Sequence, residues 1–269
     1  MSTEAPLPLV GLIPAGGISQ RLAPIPCSKE VLPVGFYGDP AEGGRPRVVS
    51  SYLLEGMHRA GATKAFILLR SGKWDIPKYY ADGGAIEMDL AYLVINVTHG
   101  PAYTVDLARP FVAESRVAFG FPDILLHPAD FMPRVAERQR ETGADICLGL
   151  FPAPVPEEDE MIVLDGTRVK EFIFSPDQTD LVYTWNAAVW TPVFTEFLHQ
   201  HLAAVELGVA AGAERREVKV GYVIQAAVEA GLSVETVTFT DGQCIDVGTP
   251  ANLARAAGAL ARGESPFGN

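Results

Sequence analysis

The residues best equipped for chemistry stand close together near the N-terminus. An apolar run from Leu7 to Ile13 leads into Ala15-Gly16-Gly17, then Ser19, Gln20 and Arg21, and shortly afterwards Ser28-Lys29. Glycines leave no Cβ between backbone N–H groups and an approaching anion. Arg21 and Lys29 can then add charge-assisted hydrogen bonds to phosphate. A strand, a glycine turn and two cations in that order predict a cradle for a polyphosphate. The string matches neither G-x-x-x-x-G-K-[ST] nor G-x-G-x-x-G, so the P-loop and the dinucleotide fingerprint are both absent.

Two aspartates are candidates to hold a divalent cation against that phosphate. Asp123 follows Gly120-Phe121-Pro122 at the end of a strand-like run. Open α/β sheets bind ligands beyond the C-terminal ends of their strands, and a carboxylate there suits Mg²⁺. A turn or helix-cap role fits Asp123 equally. Asp246 ends the run Cys244-Ile245-Asp246 and precedes Val247-Gly248-Thr249-Pro250. Thr249 can cap the last helix and Pro250 can open it. An Asx turn is the alternative for Asp246, and a shared metal requires the fold to bring the two aspartates together. Asn186 carries a carboxamide that can bond hydroxyls. His199 and His201 are spaced wrongly for one helical face. The acidic run Glu157 to Glu160 reads as a solvated loop. No serine elbow or H-E-x-x-H helix is present.

These groups need a scaffold, and the hydrophobic pattern supplies one. Leu7–Ile13, Lys64–Leu69, Ala91–Val97, Val117–Phe121, Asp145–Phe151 and Val234–Thr240 read as strands. Val48–Arg59, Tyr103–Arg109, Phe131–Glu141, Phe194–Val209, Gly221–Ala230 and Ala251–Leu260 read as helices. Gly61 marks a helix stop. Met161–Leu164, Val169–Phe174 and Tyr183–Val189 form an expected antiparallel excursion, with Asp165-Gly166 as a hairpin turn. Alternating strands and helices imply a three-layer α/β domain with a largely parallel sheet. One domain over 1–269 is expected, with a frayed tail over 262–269.

Bulk composition narrows the partners. The chain has 269 residues, 48% hydrophobic and 20% charged, as in ordered globular proteins. There are 21 Lys plus Arg against 33 Asp plus Glu, for a net charge of −12. Without a basic stripe, nucleic acid and anionic membrane are disfavoured partners. Cys27, Cys147 and Cys244 form no disulfide framework and read as buried thiols of a reducing cytosol. An export signal and an apolar run of membrane-helix length are both missing, so a cytoplasmic location is expected.

Taken together, the motifs resemble those of the sugar-1-phosphate nucleotidyltransferases, especially the glucose-1-phosphate thymidylyltransferase-like group. Ala15-Gly16-Gly17, Arg21-Leu22, Pro24, Ser28-Lys29 and Leu32-Pro33-Val34 resemble the family's opening motif. Pro122-Asp123 stands where the family has Gly-Asp, and Ile245 to Pro250 resembles its late Leu-Asp-Thr-Gly-Thr-Pro. The resemblance implies a Rossmann-like α/β fold with a mostly parallel mixed sheet and a small antiparallel excursion on the substrate side. It implies that a sugar 1-phosphate attacks the α-phosphorus of a nucleoside triphosphate, releasing pyrophosphate. Arg21, Lys29, Asp123 and Asp246 would be catalytic, the two aspartates through Mg²⁺. Ala15, Gly16, Gly17, Ser19, Gln20 and Thr104 would contact the nucleotide. Homo-oligomers are common among such proteins.

The chain also departs from that pattern. The path from Arg21 to Lys29 is short, resembling molybdopterin-guanine and methylerythritol-cytidylyl transferases. Ile18-Ser19-Gln20 replaces a small residue-Gly-Thr, and the base-reading Gln expected near Thr104 is missing. The substrate motif Glu-Lys-Pro becomes Phe174-Ser175-Pro176. Either Lys170 or Glu171 takes over the contact, alongside Asn186, or the acceptor is unusual. A phosphonate or other non-sugar phosphate acceptor, and a non-catalytic nucleotide sensor, are the alternatives.

Overall fold

The computed structural model describes residues 7–96, 99–261 and 266–267. Its strands are β1 (Leu9–Pro14), β2 (Pro33–Tyr37), β3 (Arg45–Val48), β4 (Lys64–Arg70), β5 (Asp89–Ile95), β6 (Arg116–Gly120) and β7 (Ile124–His127). They continue as β8 (Ile146–Pro152), β9 (Glu160–Asp165), β10 (Arg168–Phe174), β11 (Tyr183–Trp190), β12 (Val234–Thr238) and β13 (Gln243–Asp246). The helices are α1 (Val49–Arg59), α2 (Asp75–Tyr80), α3 (Pro101–Asp106), α4 (Arg109–Val112), α5 (Phe131–Thr142), α6 (Pro192–Ala210), α7 (Val220–Glu229) and α8 (Pro250–Ala261).

Nine strands form one mixed sheet in the order β5-β4-β1-β6-β11-β8-β12-β10-β9. β1 is parallel to β4 and β6, β4 to β5, and β8 to β12. Helices cover both faces, and the alternation of β1 shows how. Leu9 and Ile13 join α1 and α5 residues such as Leu54, Met57 and Val135 in one apolar cluster. Val10 and Leu12 join Val105, Phe194, Leu198 and Val223 from α3, α6 and α7 in the other. A strand buried on both faces must be apolar throughout, which is why its sequence is a continuous hydrophobic run. Burying each such aliphatic side chain contributes roughly 1.5–3 kcal/mol. The three-layer α/β architecture with a mostly parallel mixed sheet is therefore as expected.

Local signals explain most helix ends. α1 ends at Ala60, and Gly61 (φ +96°) donates to the His58 carbonyl, as a helix-stop glycine should. α6 begins two residues before the expected Phe194 because Pro192 occupies its first turn. Asn252 N–H donates to Thr249 Oγ1 at 3.3 Å, so Thr249 caps α8 and Pro250 opens it.

The excursion is smaller than expected. β9 and β10 form the hairpin, turning at Gly166 (φ +62°). β11 meets β9 antiparallel at Thr184 and Met161, as expected, but most of its length lies at the sheet centre, antiparallel to both β6 and β8. The reason is apolarity on both faces: Trp185, Ala187, Ala188, Val189 and Trp190 are all buried, whereas β10 leaves Lys170 and Glu171 exposed. Of the tail expected to fray, 262–265 and 268–269 lie outside the described residues. Phe267 rests its ring 5.3 Å from that of His127. The expected strand end at Val97 also lies outside them. Cys147 is buried as expected, but Cys27 and Cys244 are only partly so. Among the described residues, no helix is long and apolar enough to cross a membrane.

Candidate functional site

Asp123 and Asp246 meet because two short strands outside the main sheet pair. β7 and β13 run antiparallel, with Ile124 opposite Asp246. The Val247 N–H donates to the Asp123 carbonyl at 3.0 Å, locking the two strand ends together. Neither strand was expected from the sequence, because four-residue strands carry little periodicity. The pairing makes neighbours of residues more than a hundred positions apart.

Each aspartate receives one of the two expected cations. Lys29 Nζ forms an ion pair with Asp123 Oδ2. Arg21 Nη2 donates to Asp246 Oδ2 at 2.8 Å. Burial works against the charge of Lys29, but the Asp123, Glu30 and Asp246 carboxylates outweigh it and leave its pKa above the ordinary lysine value. Lys29 is thus a stable cation at neutral pH.

The chain before Lys29 is held rigidly. Asp75, at the start of α2, accepts from Ser28 N at 2.6 Å and from Ser28 Oγ at 2.7 Å. Burial opposes ionisation of Asp75, but these bonds prevail and its pKa falls below the usual carboxylate range. On the other side of Lys29, Glu30 is fully buried and accepts from Lys73 Nζ at 2.6 Å. Ser19 adopts the left-handed region (φ +54°) and turns the glycine segment into the single helical turn carrying Arg21. Gly248 N–H donates to Asp246 Oδ1 at 2.7 Å. A Cβ on Gly248 would lie 2.7 Å from that same oxygen and 3.1 Å from Arg21 Nη2, so a larger residue would have to displace the Asp246 or Arg21 side chain.

Two cavities meet at Asp123 and Phe121. The larger, about 590 Å³, is lined by Gly16, Gly17, Lys29, Arg70, Thr104 and Arg215, among others. Of the expected nucleotide contacts, Gly16, Gly17 and Thr104 therefore face it. Ala15 is buried, its N–H bonded to the Leu68 carbonyl, and Ser19 and Gln20 are not among the lining residues. Arg70 also lines it, and its Nε is buried with no hydrogen-bond partner in the described structure.

The smaller cavity, about 230 Å³, is lined by Asp159, Glu160, Trp185, Asn186, Lys219 and Asp246, among others. Asn186 lies here as expected. Lys170 and Glu171 do not: both are exposed on β10 and line neither cavity. In their place stand Glu160 and Lys219, 3.6 Å apart, with Trp185 Nε1 donating to Glu160 at 2.8 Å. The acidic run expected to be solvated thus contributes to the site, because Glu160 opens β9 and pairs against the central strand through Met161 and Thr184. The sequence signal for it was the loss of charge at Phe174-Ser175, which called for replacements from elsewhere.

Asp123 and Asp246 offer two hard carboxylate ligands, the donor chemistry with which Mg²⁺ is held alongside substrate phosphates. Among the described residues, no group of three or more His, Cys, Asp or Glu side chains is arranged to hold a metal ion.

The overall fold is shared with solved proteins named as a glucose-1-phosphate thymidylyltransferase and as UDP-glucose pyrophosphorylases. A Bacillus anthracis protein assigned as a glucose-1-phosphate thymidylyltransferase, solved with sucrose, superposes with a TM-score of 0.75 at 19% identity, covering 96% of this chain and 98% of that one. A UDP-glucose pyrophosphorylase solved with UDP-glucose superposes at 0.74 with 15% identity over 95% and 99%. The UDP-glucose pyrophosphorylase of Acinetobacter baumannii gives 0.73 and 15% over 93% and 92%. No family model matches the sequence, and no curated protein matches it.

Proposed function

We propose that the protein is an enzyme that transfers a nucleoside monophosphate from a nucleoside triphosphate to a sugar 1-phosphate. The products are a nucleotide sugar and pyrophosphate. The observation that carries this reading is the junction at Asp123. A cavity edged by the glycine turn and by Lys29, Arg70 and Arg215 shares Phe121 and Asp123 with a second, smaller one. In this reading the two substrates occupy the two cavities and meet at Asp123.

The larger cavity suits the triphosphate. The Gly16 and Gly17 backbone and Lys29 would neutralise and orient its phosphates; Arg21 lines neither cavity and would act only through its bond to Asp246. The smaller cavity suits the acceptor, with Asn186, Glu160 and Lys219 available to polar groups. Asp123 and Asp246 would hold Mg²⁺, which would supply positive charge against the phosphates. Neither a protein nucleophile nor a covalent intermediate is needed; alignment and charge stabilisation supply the rate. Residues 1–269 act as one nucleotidyltransferase domain in this reading.

The test is a matrix of nucleoside triphosphates and phosphorylated acceptors with Mg²⁺, followed by pyrophosphate release and product mass. Tight nucleotide binding without turnover on any acceptor would leave a sensor, not an enzyme.

A further inference from the structure

The two cavities differ in charge, and the difference bears on the acceptor. The larger one is lined by the cations Lys29, Arg70, Arg215 and Arg216 against Glu30, Asp123 and Glu217. The smaller one reverses the balance: Asp123, Glu158, Asp159, Glu160 and Asp246 face a single lining cation, Lys219. Three of those carboxylates have cationic partners, since Asp123 pairs with Lys29, Asp246 with Arg21 and Glu160 with Lys219. Glu158 and Asp159 are left without one among the described ion pairs. Asp159 is the informative member, because its Oδ2 is buried and accepts no hydrogen bond from the described residues.

A second group in the same cavity also lacks a partner. Asn186 is only 7% exposed, and its Nδ2 is buried with no acceptor among the described residues. A buried polar atom left unpaired costs about 1–3 kcal/mol, so both atoms are placed for a ligand that satisfies them. Asn186 calls for an oxygen, which any phosphorylated alcohol supplies. Asp159 calls for a donor, and with Glu158 beside it a charged donor is favoured over a neutral hydroxyl. A charge-assisted hydrogen bond is roughly twice as strong as a neutral one. A neutral sugar phosphate offers Asp159 only uncharged hydroxyl donors while its phosphate adds negative charge to this cavity.

We infer that the acceptor is a small phosphate or phosphonate ester that also carries a protonated amine, with Asp159 and Glu158 receiving the ammonium and Asn186 an acceptor oxygen. This rests on the nucleotidyl-transfer reading above and sharpens its acceptor. An amino sugar 1-phosphate and an aminoalkyl phosphate share the required chemistry.

Matched acceptor pairs separate these sources and test the inference with the full-length protein, Mg²⁺ and each nucleoside triphosphate. One pair is glucosamine 1-phosphate against glucose 1-phosphate; the other is 2-aminoethyl phosphate against ethyl phosphate. In at least one pair, kcat/KM for the amine is expected to exceed its neutral partner by roughly 10–100-fold, the value of one charge-assisted contact. The pair that shows it identifies the source. Turnover with no amine preference in either pair overturns the inference while leaving nucleotidyl transfer intact. Absence of pyrophosphate release with every acceptor overturns both. Asp159→Asn, nearly isosteric, should lower the amine-to-neutral ratio about tenfold, and Glu158→Gln, on an exposed side chain, should lower it by a smaller factor. A ratio unchanged in both variants would assign the ammonium elsewhere and defeat the proposal.

Discussion

Lys73→Met is the most demanding test of how the segment carrying Lys29 is held. Lys73 and Glu30 form an ion pair of 2.6 Å with side chains 6% and 2% exposed, and Glu30 Oε2 has no partner. Burial raises the Glu30 pKa above its ordinary 4.5 despite Lys73, and burial lowers that of Lys73 below 10.5 despite Glu30. A raised carboxyl pKa means stability complete below 4.5 and lost as pH climbs through the folded value. A lowered lysine pKa means stability complete above 10.5 and lost as pH falls through the folded value. At neutral pH both charged forms are therefore costly, and each is tolerated because the other is present. Removing Lys73 strands the Glu30 carboxylate in the interior, at a cost of about 3–5 kcal/mol. At roughly 2–4 °C per kcal/mol for a protein of this size, Tm should fall by about 6–20 °C. The double variant Glu30→Gln/Lys73→Met removes both charges and should lie within about 1 kcal/mol of the parent. Thermal and urea denaturation of the parent, the two single variants and the double variant complete the cycle. A Tm loss below about 2 °C for Lys73→Met, or a double variant as unstable as the worse single one, would refute the reasoning.

Other expectations follow from the site. Lys29→Met should lower kcat by roughly 10²–10³, measured as pyrophosphate release, and should also lower Tm because Asp123 loses its ion-pair partner; near-parental activity would remove Lys29 from the chemistry. Gly248→Ala should cost about 10–100-fold in activity by displacing Asp246 or Arg21, with circular dichroism unaltered, and full activity would show that the contact yields freely. Chelation by EDTA should abolish turnover and added Mg²⁺ restore it, whereas chelator-resistant activity argues against Asp123 and Asp246 as ligands. Because the Lys29 pKa lies above the ordinary 10.5, its contribution to stability is complete below that value and is lost only as pH rises through the folded pKa. A limb of the pH–rate profile between pH 7 and 9 that disappears in Lys29→Arg would contradict this.

Local sequence carried much of the fold. β1 declared itself by continuous apolarity, α8 by Thr249-Pro250, and the β9–β10 hairpin by Asp165-Gly166, because caps, turns and two-sided burial act over a few residues. β11 was harder to place. Its strand character is local, but its seat between β6 and β8 depends on which sheet positions other strands leave open. The phosphate segment was also legible, since Gly16, Gly17, Arg21 and Lys29 lie within one short stretch and their types suit an anion wherever that stretch folds.

The smaller cavity was not legible in the same way. Glu160 and Lys219 are far apart in the chain and meet only because β9 pairs at the central strand while Lys219 leads into α7. A carboxylate in an acidic run has no local mark that distinguishes a solvated side chain from one enclosed by Trp185. The same holds for Asp123 and Asp246, whose motifs suggested phosphate chemistry but whose proximity rests on the β7–β13 ladder. Residue type and short-range spacing set the chemistry available to this protein. Backbone pairing between remote segments decided which of those groups share a cavity, because burial and distance are properties of the packed sheet and not of the chain.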